Sequence, residues 1–228
     1  PGAMKMGFED AEGKARSFSC DYVIMATGKR PDLAPLQLDK AGVAIENGVI
    51  KSDERCRTSV PHIFAVGDVI GGLMLAHTAG QQGRVAAMTI SGEDMVYDQD
   101  KDSGVIFTRP EAAFVGLSME QAKAKGIDAA EVKVPMSVDA KAMITGETQG
   151  LIKIVAEKAS HRVIGVHFLA DHADTLIGEG VMMVSGNMTL EQVGQAIHPH
   201  PTQTELFGEL ARRLSSRLKR AERRAKKK

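Results

Sequence analysis

The residues best suited to chemistry lie in the segment HPHPTQTE at positions 198–205. Histidine titrates near neutral pH and is therefore well matched to proton transfer, and a nearby carboxylate can orient the imidazole and raise its pKa. Thiol–disulfide exchange needs such a base because the thiolate is the nucleophile. The two prolines restrict the backbone around both imidazoles. The segment is thus a candidate for acid–base chemistry.

Simpler interpretations of the same segment stay open at this point. Thr202 and Glu205 have the spacing of a helix capping box, which would explain the glutamate without any catalytic role. The two histidines could also lie in a surface loop or form half of a metal site. No cysteine or further histidine stands at a convincing ligand spacing, so we expect no bound metal.

A second candidate site follows the apolar run at 63–66, where the sequence continues Gly67-Asp68. Ligands of open α/β sheets bind beyond the carboxyl ends of strands. Glycine allows close backbone approach there, and a carboxylate can accept a hydrogen bond from a sugar hydroxyl. A helix is predicted from Leu75 to about Ile90, and its free N–H groups would favour an electron-rich ligand. The alternative is that Asp68 only caps a turn.

Two apolar runs, Tyr22–Ala26 and Ile63–Val66, predict strands that are buried on both faces, as in a parallel sheet. The helix at 75–90 is rich in small residues and would pack closely on such a sheet. No GxGxxG motif occurs, and the strands that normally open such a sheet are missing. The pattern therefore predicts a partner segment that completes the sheet.

A polar, turn-rich stretch at 91–103 predicts a domain boundary, after which the periodicity changes. An antiparallel sheet is expected from short strands near 105–108, 112–116, 131–135, 150–156 and 163–170. Helices are expected after the capping boxes Ser118/Gln121 and Thr189/Gln192, from about 174 to 185, and from about Thr202 with a stripe of Leu206, Leu210, Leu214 and Leu218.

The composition is that of a soluble globular protein, with 43% hydrophobic and 25% charged residues among 228. No apolar stretch approaches the roughly 20 residues that span a bilayer. The two cysteines, Cys20 and Cys56, have neither metal-ligand nor CxxC spacing. We therefore expect no disulfide framework, a reducing compartment and a cytoplasmic location.

Longer strings resemble a known family. TSVPHIFAVGDV at 58–69 followed by LAHTAGQQG at 75–83 is similar to the second FAD-binding motif of the pyridine nucleotide-disulfide oxidoreductases. ATGKRPD at 26–32 resembles the segment that closes their NAD domain. HPHPTQTE resembles the HAHPTxSE signature of the dihydrolipoamide dehydrogenase branch, with Pro199 in place of the usual alanine.

The resemblance implies FAD and NAD as cofactors and assigns roles by position. Asp68 would bind the ribitol chain of FAD, and Gly28 would lie near the nicotinamide nucleotide. The segment facing the flavin ring would consist of Met74, Leu75, Ala76 and His77. His200 would be the acid/base that moves the thiol proton, and Glu205 would orient it.

The same resemblance implies a homodimer, because the histidine of these enzymes reaches the redox disulfide of the other subunit. The redox cysteine pair and the first FAD and NAD motifs would belong to a missing N-terminal half, so we expect this chain alone to be inactive. The substrate would be a lipoyl group or a small disulfide. A glutathione-type reductase and a non-catalytic dimerisation scaffold are the alternatives.

The expected fold class is α/β plus α+β: the C-terminal part of an FAD/NAD-linked Rossmann-type reductase, followed by an antiparallel-sheet dimerisation domain. We assign 1–35 to the end of the NAD-binding domain and 36–100 to the second segment of the FAD-binding domain. Residues 101–212 would form the dimerisation domain, and 213–228 a basic tail.

The basic tail departs from the family pattern. Ten Lys or Arg and a single acid, Glu222, lie between Arg212 and Lys228, whereas the rest of the chain has 19 basic and 28 acidic residues. We expect the last helix to persist to about Leu218 and then fray. The tail is then either a solvated extension or an electrostatic contact with an acidic partner, nucleic acid or an anionic membrane surface.

Overall fold

The computed structural model describes residues 3–227. Its strands are β1 (Met4–Glu9), β2 (Ala15–Cys20), β3 (Ile45–Glu46), β4 (Val49–Ile50), β5 (Ser103–Ile106), β6 (Glu111–Gly116), β7 (Ala129–Pro135), β8 (Leu151–Glu157) and β9 (Val163–Ala170). Its helices are α1 (Leu38–Ala41), α2 (Ala76–Ile90), α3 (Met119–Ala124), α4 (Ala140–Thr145), α5 (Ala173–Ser185), α6 (Leu190–Gln195) and α7 (Glu205–Ala225).

Residues 4–20 form a hairpin that was not among the predicted strands. β1 and β2 pair antiparallel, and Asp10 closes the turn by accepting hydrogen bonds from the backbone N–H groups of Glu12 and Lys14. Gly13 has φ +76°, a left-handed conformation that glycine adopts without steric cost. Met4, Met6 and Phe8 alternate with Lys5, Gly7 and Glu9, and this strand pattern was the available signal for the hairpin, although both of its faces are largely exposed.

The two parallel strands predicted at 22–26 and 63–66 were wrong. Residues 22–26 form no strand, and Ile24 is 89% exposed. Residues 63–66 make one isolated antiparallel bridge, between Phe64 and Arg57. A strand requires hydrogen-bonded neighbours, and within residues 3–227 neither segment has a parallel partner. No parallel Rossmann-type sheet is therefore formed by the described part of the chain.

The predicted helix at 75–90 is confirmed as α2, which contributes to one of two small apolar clusters in the first region. Val85 and Cys56 are buried in one cluster, and Val43, Ile50 and Ala65 form the other. These clusters hold the segment 63–70 beside α2.

The predicted antiparallel sheet is confirmed. Five strands are ordered β5-β6-β9-β8-β7, and every neighbouring pair is antiparallel. β5 begins two residues before the predicted strand. Ile154 lies opposite Val132 on one side and Val166 on the other. Alternate residues of these strands face the helices and form the main core of the chain.

Helices α5, α6 and α7 cover one face of the sheet. Phe207 of α7 is fully buried and meets Phe168 edge-on, with the ring centroids 5.4 Å apart. The capping boxes predicted at the starts of α3 and α6 are both present, with reciprocal bonds between Ser118 and Gln121 and between Thr189 and Gln192.

Helix α7 differs from the prediction at both ends. Its start at Glu205 contains half of the expected capping box: Glu205 accepts from the N–H of Thr202, while the Thr202 hydroxyl donates to the carbonyl of Pro199. The helix continues to Ala225 rather than fraying after Leu218. Lys and Arg favour helix, and a bond between Glu222 and His161 holds the last turns. The leucine stripe at 206, 210, 214 and 218 is buried, as expected.

Among residues 3–227, no helix combines the length and apolar character needed to cross a bilayer.

Candidate functional site

His200 and Glu205 are brought together, as the sequence predicted they could be. The loop between α6 and α7 carries His200, and the first turn of α7 carries Glu205. His200 Nδ1 lies 3.1 and 3.0 Å from the two carboxylate oxygens of Glu205. The imidazole is 71% exposed. With Nδ1–H donating to the carboxylate, Nε2 is the nitrogen available to another molecule.

Glu205 is held in its ionised form. The backbone N–H of Thr202 donates to its carboxylate at 3.0 Å. This hydrogen bond, followed by those from His200 and by the nearby His198, lowers the pKa of Glu205 below its ordinary value. An ionised carboxylate can orient the neighbouring imidazole at neutral pH. Glu205 therefore orders the start of α7 and positions His200 at the same time.

The other histidine of the segment has a different environment. His198 is only 10% exposed, and its Nε2 lies 2.7 Å from Oε1 of Glu179 on α5. Gly208 of α7 passes so close that a Cβ there would lie 3.2 Å from His198 Nδ1. His198 thus fastens the loop to α5 and α7, and leaves His200 as the imidazole that an external group can reach.

Asp68 lies in the 3₁₀ turn Gly67–Ile70 just before α2, and its side chain is 47% exposed. The turn is held by Gln82 of α2, whose Oε1 accepts the N–H of Gly67 at 2.7 Å. Gly67 has φ +77°, and a Cβ there would lie 3.2 Å from the Cβ of Ala79. A glycine is therefore required for this approach between the turn and α2.

The N-terminus of α2 is open. Leu75 is its N-cap in extended conformation, and no side chain caps the helix. Met74 has a left-handed backbone, φ +54°. His77 Nε2 lies 2.7 Å from the carbonyl oxygen of Ser103, which ties the first turn to β5. Within residues 3–227, the N–H groups of Ala76, His77 and Thr78 therefore have no intrahelical or side-chain partner and can receive electron-rich atoms, whereas the N–H of Ala79 donates to the carbonyl of Leu75.

Lys29 is a site residue that sequence reasoning missed. Its Nζ lies 3.3 Å from Asp68 Oδ2 and 3.3 Å from the carbonyl oxygen of Met74. Gly28, with φ +103°, lies in a stretch without regular structure. It is connected to Asp68 through the next residue, Lys29. The adjacent basic residues Lys29 and Arg30 were the sequence signal for a charged contact here. No local sequence pattern, however, indicates that Lys29 pairs with Asp68, which is 39 residues away.

The predicted site residues, together with Lys29, thus form two groups. Lys29, Asp68 and Met74 are connected at the start of α2, while His200 and Glu205 are connected at the start of α7. Among the described residues, no hydrogen bond joins one group to the other.

Two family models match this chain over most of its length. Residues 5–83 match the model "Pyridine nucleotide-disulphide oxidoreductase", and residues 103–211 match the model of that family's dimerisation domain. The chain belongs to the pyridine nucleotide-disulphide oxidoreductase family. This family is a class of enzymes. The first match contains Gly28, Asp68 and the start of α2, and the second contains His200 and Glu205.

Several curated members of the family are similar in sequence. Dihydrolipoyl dehydrogenase of Geobacillus stearothermophilus is 37% identical over 203 residues, which are 89% of this chain and 43% of that protein. The Chlamydia muridarum enzyme is 40% identical over 84% of this chain and 41% of its own length. The mitochondrial enzyme of Canis lupus familiaris is 33% identical over 91% of this chain and 41% of its own length. The chain spans less than half the length of these relatives.

Two solved structures share the fold. LpdA from Mycobacterium tuberculosis superposes with a TM-score of 0.82 at 28% identity, covering 91% of this chain and 45% of LpdA. The HOCl-induced flavoprotein disulfide reductase RclA from Escherichia coli gives 0.74 at 25% identity, covering 86% of this chain and 46% of RclA. The mixed α/β architecture with an antiparallel sheet is therefore that of this family.

Proposed function

We propose that this chain is the FAD-contacting and dimerisation portion of a disulfide oxidoreductase of the dihydrolipoyl dehydrogenase type. The complete enzyme would couple oxidation of a dithiol to reduction of NAD through FAD. The observation that carries the proposal is the exposed His200 imidazole held by an ionised Glu205, in a chain 33–40% identical to dihydrolipoyl dehydrogenases.

His200 would hold and move the thiol proton at Nε2. Glu205 fixes the tautomer by accepting the Nδ1 proton, and the ionised carboxylate stabilises the imidazolium that forms when Nε2 accepts a proton. His198 would act as a positioning residue, because its bond to Glu179 holds the loop against α5.

The start of α2 would hold the flavin. Asp68 offers a half-exposed carboxylate to ribitol hydroxyls, and its bond to Lys29 is exposed enough for a hydroxyl to replace it. The free N–H groups from Ala76 and His77, behind Met74 and Leu75, would donate to the pyrimidine edge. FAD, when bound, would supply electron transfer between a dithiol and NAD. Gly28 would lie near the nicotinamide nucleotide.

The redox cysteine pair would come from outside this sequence. Cys56 is buried, and burial raises the pKa of its thiol, which disfavours a reactive thiolate. Cys20 lies far from it in the sequence, and both cysteines are free. The exposed apolar run at 22–26 supports the same idea, because Ile24 and Met25 are 89% and 85% exposed and would be covered by the rest of the enzyme.

A homodimer would complete the site. His200 is exposed and, apart from Glu205, makes no hydrogen bond among the described residues. The dimerisation-domain match over 103–211 supports a second subunit whose redox disulfide faces this imidazole.

The test is the His200→Gln variant of the complete enzyme, assayed as reduction of NAD by dihydrolipoamide. Loss of an acid/base group should lower kcat/KM by roughly 10²- to 10⁴-fold while the bound-flavin absorbance near 450 nm stays unchanged. His172→Gln is the matched control, because His172 is 73% exposed and also lies beside a carboxylate, 3.0 Å from Asp171. It should stay within about twofold of the unmodified enzyme.

A His200→Gln enzyme within tenfold of the unmodified one would contradict the acid/base role. A stable dimer that stays colourless after addition of FAD would instead favour the scaffold alternative. Activity on glutathione disulfide with none on dihydrolipoamide would favour the glutathione-type alternative.

A further inference from the structure

The C-terminal half of α7 presents a line of cations to solvent. Its positions are Arg213, Arg217, Arg220, Arg224 and Lys227, all exposed and spaced 4, 3, 4 and 3 residues apart. This spacing places the four arginines on one face of α7, and Lys227, in the turn that follows Ala225, continues the line. At 1.5 Å per residue the line is about 21 Å long. We call these five residues the basic ridge.

The single acid of the tail does not neutralise the basic ridge. Glu222 instead lies against the region that contains the five-stranded sheet (residues 103–227, the sheet domain), and its carboxylate is 2.8 Å from His161 Nε2. Of the ridge, Arg213 pairs with Glu209, and Arg217 donates to the backbone carbonyl of Glu131. The other three ridge residues make no ion pair within the described part of the chain. The ridge therefore keeps most of its charge uncompensated.

The basic ridge is also fixed in place. On an adjoining face of α7, Leu214, Ser215 and Leu218 are buried in the domain. Lys219 adds a contact of 2.8 Å to Glu191 of α6. A cationic face on an anchored helix binds without first losing chain entropy, unlike a frayed tail.

The side chains on the exposed part of α7 indicate which kind of anionic partner the basic ridge can bind. No large apolar side chain of α7 is exposed within the described residues. An interfacial membrane helix needs such side chains on its bound face, and protein interfaces usually have an apolar centre. The basic ridge also has no aromatic residue on which a single-stranded base could stack. Contact with the phosphate backbone of a duplex requires only cations. A row of duplex phosphates is therefore the partner surface that fits the basic ridge.

We propose that the basic ridge binds double-stranded nucleic acid through its phosphate backbone, without reading the base sequence. Arginine suits this role because its guanidinium donates two parallel hydrogen bonds to a phosphate. A straight ridge of about 21 Å on a curved duplex would contact roughly four phosphates. This activity is separate from the proposed redox chemistry.

The test is fluorescence anisotropy with a labelled 20-base-pair DNA duplex and the complete protein. Neutralisation of about four phosphates predicts that affinity falls roughly 150-fold between 50 and 200 mM salt. Affinity should be the same for duplexes of unrelated sequence. A salt dependence below about threefold over this range would overturn the proposal.

The decisive variant carries Arg220→Gln, Arg224→Gln and Lys227→Gln. The control carries Lys123→Gln, Lys133→Gln and Lys141→Gln, which removes the same charge from exposed positions elsewhere. We expect the ridge variant to bind the duplex at least tenfold more weakly and the control to stay within about threefold. Equal loss in both variants would show a general charge effect and overturn the proposal.

A charge-preserving variant with Arg220→Lys, Arg224→Lys and Lys227→Arg distinguishes weaker binding caused by lost charge from weaker binding caused by misfolding. It should bind within about threefold of the unmodified protein, because non-specific duplex affinity depends mainly on the number of phosphates neutralised, and failure to do so overturns the proposal. Two further probes test other polyanions: vesicles containing phosphatidylserine, and poly-glutamate. Binding to either as tight as to the duplex would also overturn it.

Discussion

Residues 3–101 and residues 103–227 differ in how they bury their apolar side chains. The second region contains one five-stranded sheet, and α5 and α7 share a continuous core with it. The first region contains two-stranded hairpins and two small clusters beside α2. Its most apolar run, 22–26, is largely exposed, with Ile24 and Met25 most so.

This difference shows that an apolar segment forms a strand only where other strands lie beside it in space. The segments 22–26 and 151–157 are both mostly apolar. The second run is β8, which has β7 on one side and β9 on the other, so its backbone groups are paired and its side chains are covered. The first run has no such neighbours among the described residues. Residues 103–227 thus cover their own apolar strands, whereas the run at 22–26 stays uncovered within the described part of the chain.

The largest expected effect compares the two regions directly. Phe207→Ala should lower the free energy of unfolding by about 3–5 kcal/mol, because it empties a fully buried site against Phe168. Ile24→Ala in this chain should change it by less than about 0.5 kcal/mol, because Ile24 is 89% exposed. Urea unfolding followed by circular dichroism measures both. Equal destabilisation by the two variants would break the comparison.

A smaller effect concerns the attachment of α7 to the sheet domain. His161 is 12% exposed, with Nδ1 2.9 Å from Glu191 and Nε2 2.8 Å from Glu222. His161→Gln removes two charge-assisted hydrogen bonds and should cost about 1–3 kcal/mol. Hydrogen exchange of the amides at 219–225 reports the attachment locally. Unchanged exchange there would contradict this role for His161.

The stabilisation that His161 and Glu191 give to the end of α7 should be lost both when the pH rises and when it falls. The hydrogen bond to Glu191, followed by that to Glu222, raises the pKa of His161 above 6.5, so its stabilisation is complete below pH 6.5 and is lost as pH rises through the raised pKa. Burial alone would raise the pKa of Glu191, but hydrogen bonds from Lys219, His161 and Ser215 lower it to about 2. Its stabilisation is present above pH 4.5 and is lost as pH falls towards 2. Protection of the amides should therefore be greatest between about pH 4.5 and 6.5.

The smallest effect belongs to the ion pair between Lys29 and Asp68. Lys29→Ala should change the free energy of unfolding by less than about 0.5 kcal/mol, because the Lys29 and Asp68 side chains are 68% and 47% exposed. The same change should not weaken FAD binding to the complete enzyme, since the ribitol hydroxyls would replace the ammonium at Asp68. Asp68→Ala should weaken FAD binding, which a flavin fluorescence titration measures. The reverse order would contradict the role proposed for Asp68.

The sequence by itself determined features that depend on local patterns. Alternating side chains indicated the strands of the sheet, the Ser118 and Thr189 boxes indicated two helix starts, and the leucine spacing indicated the buried face of α7. The motif strings also identified the family. Each of these signals spans a few residues, so no knowledge of distant contacts is needed.

The tertiary structure alone decided features that depend on distant residues. His198 and His200 are two residues apart and chemically identical, yet Glu179 on α5 buries one while the other stays exposed. The length of α7 depends on His161, which lies 61 residues before Glu222. Hydrogen bonds and burial join groups that are close in space, and a sequence pattern records only closeness along the chain.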